Sequence, residues 1–329
     1  MTRRLKIMHH DHCFDGAASA SLFARFYAER VEGGAEIVYA GKAHARGVVF
    51  HDSEFDADEH VVVDFRYATN PRLTWWFDHH ASAFQPPTEE ADFRQRPPDR
   101  FFYDPLARSC TKFLAESLGR VYGWDSSRYA ELIHWADLID GAKFESAEQA
   151  TRLAEPALKV MSFIEHNQDK QRAREVIEAL TSRPLADLAQ ERYITTSLVP
   201  VQKLQLHAAS VLRARISTTH GVAFFDISDD ESIRYSKFLP YVLAPQAHYV
   251  VAVSRGDERS KVSVGMNPWN PPKPLTHIAR ICERYGGGGH AVVGAVTIDG
   301  PSDSAVTEAR RIADEITAEL RATHTGKER

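Results

Sequence analysis

Two short stretches constrain this chain more than any other. Val61-Val62-Val63 and Leu73-Thr74-Trp75-Trp76-Phe77 are β-branched and aromatic at successive positions and are followed by acids, Asp64 and Asp78. A strand apolar on both faces is buried on both, and such strands belong to parallel sheets covered by helices. Asp64 and Asp78, the latter continued as His79-His80, then stand where strands leave the sheet. Open α/β sheets place their chemistry at such points.

The neighbouring segments fit that architecture. Leu5–His9 and Ala35–Ala40 read as further strands, with a helix over Gly16–Arg30 between them on the spacing of Ala17, Ala20, Ala24 and Tyr27. A proline-rich loop is expected over Gln85–Arg100, then helices over Ser109–Leu118 and Arg128–Leu138 and several more between Glu148 and Ala214. A second α/β unit begins near Gly221, with strands at Val222–Ile227, His248–Val253, Lys261–Met266 and Ala291–Ile298. Leu275, Ile278, Ala279, Cys282 and Tyr285 share one helical face, and a last helix covers Ser304–Leu320. The fold class is α/β: a mostly parallel sheet flanked by helices over 1–190, a helical linker over 191–218, a smaller α/β domain over 219–322 and a solvated tail over 323–329.

Composition narrows the function classes. At 329 residues and 43% hydrophobic, the chain can bury two cores. A net charge of −5 and a pI near 6.3 disfavour a long nucleic-acid tract, which needs a basic footprint, and no long duplex is expected as partner. A small nucleotide or short oligonucleotide needs only a local basic pocket. Three widely spaced cysteines, Cys13, Cys110 and Cys282, point to a reducing compartment. No apolar run reaches the ~18 residues of a membrane span, and the N-terminus turns polar too early for a signal peptide. A cytoplasmic protein with no membrane partner is expected.

Four polar clusters carry the chemistry. The first, His9-His10-Asp11-His12-Cys13-Phe14-Asp15-Gly16, packs imidazoles, carboxylates and a thiol into one strand-to-helix turn, a dense set of metal ligands. The second is Asp64, the third Asp78-His79-His80, and the fourth Asp137-Leu138-Ile139-Asp140 at the end of a helical segment. Strand ends in a parallel sheet point the same way, so these groups can converge. Converging carboxylates repel unless cations neutralise them, and two divalent ions are the usual solution for phosphoryl hydrolysis. Farther on, Tyr285 precedes Gly286–Gly289 and His290, where the backbone can approach a phosphate closely; Gly286 can equally cap the preceding helix. Asn267 is a candidate donor, Trp269 a candidate base-stacking surface and Arg108 a candidate phosphate contact.

In their order and separation these clusters resemble the motifs of the DHH phosphoesterase superfamily, in the DHH–DHHA1 group that includes RecJ-like and nanoRNase-like enzymes. His9 to Ser19 is similar to the first motif, Asp64 to the second, Asp78-His79-His80 to the third, and Asp140 with Gly141 and Phe144 to the fourth, with Asp137 competing for that place. Gly286–His290 with Gly294 resembles the DHHA1 signature.

The resemblance implies a metal-dependent phosphoesterase. Its substrates would be short oligonucleotides, cyclic dinucleotides or 3′-phosphonucleotides, attacked by a hydroxide activated by two metal ions. His9 and Asp64 would hold one ion. Asp15, Asp64, His79 and Asp137 or Asp140 would hold the other, with Asp64 bridging. His80 would contact the phosphate or assist proton transfer, and Asp78 would orient an imidazole. Gly287, Gly288, Gly289 and His290 would receive the substrate. Manganese is the favoured metal, but Cys13 stands where the family carries an Asp. As a ligand it would shift preference towards zinc or iron; otherwise it leaves a weak site or is a buried free thiol. Two other readings stay open: a non-catalytic nucleotide-sensing protein with an altered metal site, and a pyrophosphate or polyphosphate hydrolase. A homodimer is compatible with the sequence.

Overall fold

The computed structural model describes residues 2–43, 49–256, 258–300 and 302–325. The chain divides into two compact units, Met1–Phe144 with Leu153–Leu198 and Glu145–Arg152 with Val199–Arg329.

The first unit carries a five-stranded sheet of β1 (Arg4–His10), β2 (Glu36–Lys42), β3 (Glu59–Val63), β4 (Trp75–Asp78) and β5 (Phe101–Tyr103). Their order is β2-β1-β3-β4-β5, and every pairing is parallel. The order reverses between β1 and β3, which opens a crevice at the carboxyl ends of those two strands. Both faces of the sheet are covered. Val61, Val63, Trp75 and Phe77 join one core with α1 (Phe14–Arg30), while Val62 and Trp76 join another with Met8, Phe65 and Tyr67. That division explains why these strands lack a polar face. Helix α1 is buried without a break from Phe14 to Ala24, packed as a central helix between sheet and neighbouring helices.

Two elements of this unit escape the sequence reading. The expected loop over Gln85–Arg100 contains helix α2 (Pro87–Phe93), started by a proline at its first position. Strand β5 is three residues long, too short to show a period. Its place comes from its partners: Phe102 stacks on Phe77 with centroids 4.8 Å apart, and Tyr103 on Trp76 at 5.8 Å. Then come α3 (Cys110–Tyr122) and α4 (Ala130–Asp140). Ser109 caps α3 by accepting from the Lys112 N–H, and Gly123, at φ 61°, closes it in the left-handed conformation that glycine adopts without strain. The next helix, α5 (Ala147–Arg152), belongs to the second unit. Helices α6 (Pro156–His166), α7 (Lys170–Leu180) and α8 (Leu185–Leu188) complete the first. The residues read as a linker, 191–218, form α9 (Arg192–Arg215) and enter the second sheet.

That second sheet has β6 (Ser217–Thr219), β7 (Val222–Asp226), β8 (Tyr249–Arg255), β9 (Arg259–Met266), β10 (Gly288–His290) and β11 (Val293–Asp299), in the order β10-β11-β9-β8-β7-β6. It is mixed: β7 and β8 are parallel, and the other pairs antiparallel. One face packs on α11 (Ile278–Glu283) and α12 (Asp303–Thr325), the other on α10 (Leu239–Leu243) and α9. The glycine run divides its residues between two tasks. Gly286, at φ 75°, follows α11, and Gly288–Gly289 open β10. A side chain on Gly287 or Gly289 would collide with the β11 backbone, so close approach of the two strands requires glycine there. The last residues of the expected tail, 326–329, lie outside the described residues. Among the described residues no helix is long and apolar enough to cross a membrane.

Phe77→Ala is expected to cost about 3–5 kcal/mol, the range for emptying a large buried aromatic site. Urea unfolding of the variant should show a lower midpoint; an unchanged midpoint would contradict the central position of β4.

Candidate metal centre

The centre forms where β1, β3 and β4 end. After β1 the chain turns and starts α1 with Cys13 as its N-cap, which places Asp15 in the first helical turn. The Asp15 carboxylate is 1% exposed and is clamped by the start of α3: one oxygen accepts from the Cys110 N–H at 2.6 Å, the other from the Thr111 N–H at 3.0 Å. Asp64 leaves β3 at φ 55°, a left-handed conformation costly for a residue with a side chain. Its N–H donates to the Phe77 carbonyl at 2.9 Å, which ties the bend to β4. The two Asp64 oxygens then face opposite ways. Oδ2 lies 3.6 Å from His10 Nδ1 and 3.6 Å from Cys13 Sγ. Oδ1 lies 3.3 Å from His79 Nε2 and 3.9 Å from His80 Nδ1.

Asp78 is fully buried and orders the tripeptide. Its Oδ1 accepts from the His79 N–H (2.8 Å), the His80 N–H (3.3 Å) and His80 Nδ1 (2.6 Å). His79 Nδ1 donates to the Ala107 carbonyl at 3.0 Å, which turns Nε2 towards three acids: Asp64 at 3.3 Å, Asp140 at 3.5 Å and Asp15 at 3.8 Å. Among the described residues three ligand groups result: His10, Cys13 and Asp64; Asp64, His79 and His80; Asp15, His79 and Asp140.

The electrostatics show how tightly the charges are coupled. Burial and the Asp64 and Asp140 charges push the Asp15 carboxyl well above the usual range. Burial and Asp64 raise Asp140 to about 6. Burial alone would raise Asp64, but His10, His79 and His80 overcome it and hold Asp64 far below the carboxylate range. Burial disfavours the charged form of His79, yet Asp64 and Asp15 raise it to about 10. Burial, then Asp64 and Asp15, push the Cys13 thiol up. His79 Nε2 and Asp64 Oδ1 are both buried without a hydrogen-bond partner. A divalent cation bound among these groups would meet both needs, and the residues present fit one.

Not every residue expected from the sequence joins the cluster. His9 is buried, its Nδ1 lies 3.0 Å from the His10 carbonyl, and it belongs to none of the three groups, whereas His10 belongs to one. Strand alternation decides between them. His10 follows Met8 onto the face that carries Phe65, and its ring sits 5.7 Å from that of Phe65 and 6.0 Å from that of His80. Counting the strand's parity from Met8 is the signal that would have found it. Asp140 reaches the cluster. Asp137 instead pairs with Arg108 at 2.5 Å and Lys112 at 3.7 Å and belongs to none of the three groups.

No protein-family profile and no curated protein sequence matches the chain. Solved structures do. The pGpG-specific phosphodiesterase PggH from Vibrio cholerae aligns at TM-score 0.68 and 17% identity over 98% of this chain and 99% of that one. RecJ from Thermus thermophilus, in complex with Mn2+, aligns at TM-score 0.55 and 14% identity over 96% of this chain and 52% of RecJ. An exopolyphosphatase-related protein from Bacteroides fragilis aligns at TM-score 0.54 and 12% identity over 97% of this chain and 94% of that one. The chain shares the fold of these proteins.

The second unit carries the residues expected to receive substrate. Gly288, Gly289 and the exposed His290 lie on β10, with Gly287 just before it. Asn267 is 1% exposed and spends its amide on the carbonyls of Ala247 (2.8 Å) and Pro245 (3.3 Å), while its Oδ1 accepts from the Trp269 N–H (3.0 Å). It is a structural bracket rather than a donor for a ligand. Trp269 packs against Phe238 and Tyr241, with centroids 5.7 and 6.1 Å away.

Asp64→Ala should abolish tight divalent binding while the chain still folds, because both halves of the cluster face this carboxylate; retained stoichiometry in metal analysis would contradict the geometry. Metal binding should also strengthen as pH rises. The raised His79 and Asp140 groups hold protons that a cation must displace, so affinity grows through pH 6 and on towards the His79 range. Calorimetry in buffers of different ionisation enthalpy should report proton release at neutral pH; binding heats independent of buffer would contradict it.

Proposed function

We propose that the protein is a metal-dependent phosphoesterase acting on small phosphorylated nucleotides: short oligonucleotides, cyclic dinucleotides or 3′-phosphonucleotides. The observation that carries this reading is the divided Asp64 carboxylate, whose oxygens face two separate ligand sets at the crevice between β1 and β3. His10 and Cys13 would share one ion with Asp64. Asp15, His79 and Asp140 would share another with it, an oxygen-rich set that suits manganese. Bound divalent ions at such a site neutralise charge on a phosphoryl group and lower the pKa of water enough to supply a nucleophile at neutral pH.

The chain's own residues do the positioning. The start of α3 fixes Asp15, the Ala107 carbonyl fixes the His79 ring, and Asp78 fixes His80 through Nδ1. Because Asp78 takes Nδ1, Nε2 is the His80 atom assigned to the substrate, where it donates to a phosphoryl oxygen or passes a proton to the leaving group. The glycines of β10 and His290 are assigned to the nucleotide portion. The net charge of −5 fits a small ligand better than a long strand. PggH is described as pGpG-specific and RecJ was solved with Mn2+, and both support the nucleotide and metal parts of this reading. Three cysteines outside any disulfide fit a reducing, cytoplasmic setting. A non-catalytic nucleotide sensor is the second reading, favoured by Cys13 in the first ligand set.

A panel of pGpG, a cyclic dinucleotide, a 3′-phosphonucleotide, pyrophosphate and polyphosphate, each with Mn2+, Zn2+ or Fe2+, separates these readings. Hydrolysis of a nucleotide is expected, with His80→Ala lowering kcat by about 10²–10⁴-fold, the usual contribution of a proton-transfer group. Nucleotide binding without turnover under any of the metals would establish the sensor instead, and turnover confined to pyrophosphate or polyphosphate would overturn the nucleotide assignment.

A further inference from the structure

The ligand groups around Asp64 differ in chemical character. On its Oδ1 side stand imidazoles and, around His79, the carboxylates of Asp15 and Asp140, a hard oxygen-and-nitrogen set. On its Oδ2 side stand one imidazole and one thiol: His10 Nδ1 at 3.6 Å and Cys13 Sγ at 3.6 Å. Their ligand atoms all lie within 4.8 Å of one another, close enough to share one ion. Asp64 is 1% exposed, and its Oδ2 faces both the Cys13 thiol and the His10 ring. The carboxylate is thus already aimed into the cluster from the protein side. Cys13 is held there by its place as N-cap of α1, whose first turn is fixed in turn by the Asp15 clamp.

We propose that His10, Cys13 and Asp64 form a thiolate site that takes a soft or borderline ion, zinc or ferrous iron, beside a harder site at Asp15, His79 and Asp140, so that the centre is chemically asymmetric. This rests on the metal-dependent reading above and deepens it. One imidazole, one thiolate and one carboxylate are a three-ligand set that zinc completes with a fourth, open position. Thiolate ligation favours zinc and iron, whereas manganese is best held by oxygen. The thiol proton leaves to solvent when the ion binds.

Cobalt gives a readout independent of turnover. Metal-free protein titrated with Co2+ should develop a near-ultraviolet thiolate-to-cobalt charge-transfer band. Cys13→Ser should remove that band while cobalt still binds at the harder site, and Cys110→Ser should keep it, since Cys110 Sγ is occupied with the Phe77 carbonyl. Cys13→Asp, which supplies an oxygen ligand and guards against a folding defect in the serine variant, should shift the ratio of zinc to manganese affinity towards manganese by roughly tenfold or more. Cobalt binding without the band, or a band that survives Cys13→Ser, would overturn the thiolate site and leave the phosphoesterase reading standing. No cobalt, zinc or manganese binding at all would overturn both.

Discussion

A carboxylate buried at the end of a parallel strand is the constraint on which this site depends. Asp64 is 1% exposed, and an isolated charge there would cost several kcal/mol. It remains ionised because imidazoles from two other strand ends surround it, His10 from β1 and His79 and His80 from β4. The left-handed backbone at Asp64 is the local cost of that placement, held by the hydrogen bond to Phe77 on the neighbouring strand. The sheet order supplies the rest. With β1 and β3 adjacent and their outer neighbours running off in opposite directions, the crevice opens where Asp64, His10 and Cys13 meet.

Around that charge the protein builds rigidity before chemistry. Asp15 is fixed by two backbone N–H groups at a helix start, where the partial positive charge favours an anion. His79 and His80 each commit Nδ1 to a fixed acceptor, the Ala107 carbonyl and Asp78, which fixes the orientation of each ring. Side chains held this way cannot relax apart when their charges conflict. The opposed pKa shifts of Asp64 and Asp140 record that conflict, which a bound cation would relieve.

Much of this was legible in the sequence because buried parallel strands leave a strong signature. The three valines before Asp64 and the aromatic run before Asp78 mark strands apolar on both faces, and the polar residues after them mark the crevice. Strand β5 was not legible: Phe101–Tyr103 is too short for a period, and its stacking on Trp76 and Phe77 is a long-range contact. His9 and His10 differ by one position, so motif spacing alone did not separate them, whereas the alternation of β1 brings His10 to 3.6 Å from Asp64. Asp137 and Asp140 lie on one helix less than a turn apart. What divides them is Arg108, which reaches Asp137 from another segment. Asn267 looks like a ligand donor as a residue type, and only the carbonyls of Pro245 and Ala247 show that its amide is spent.

The central claim is that three strand ends bring together the ligands of a cation site around Asp64. Anomalous diffraction from crystals of the protein soaked in Mn2+ tests it most directly. The account predicts a peak among Asp15, Asp64, His79 and Asp140, within ligand distance of His79 Nε2. A clean map with no peak there, in crystals whose carboxylates are ionised, would contradict it.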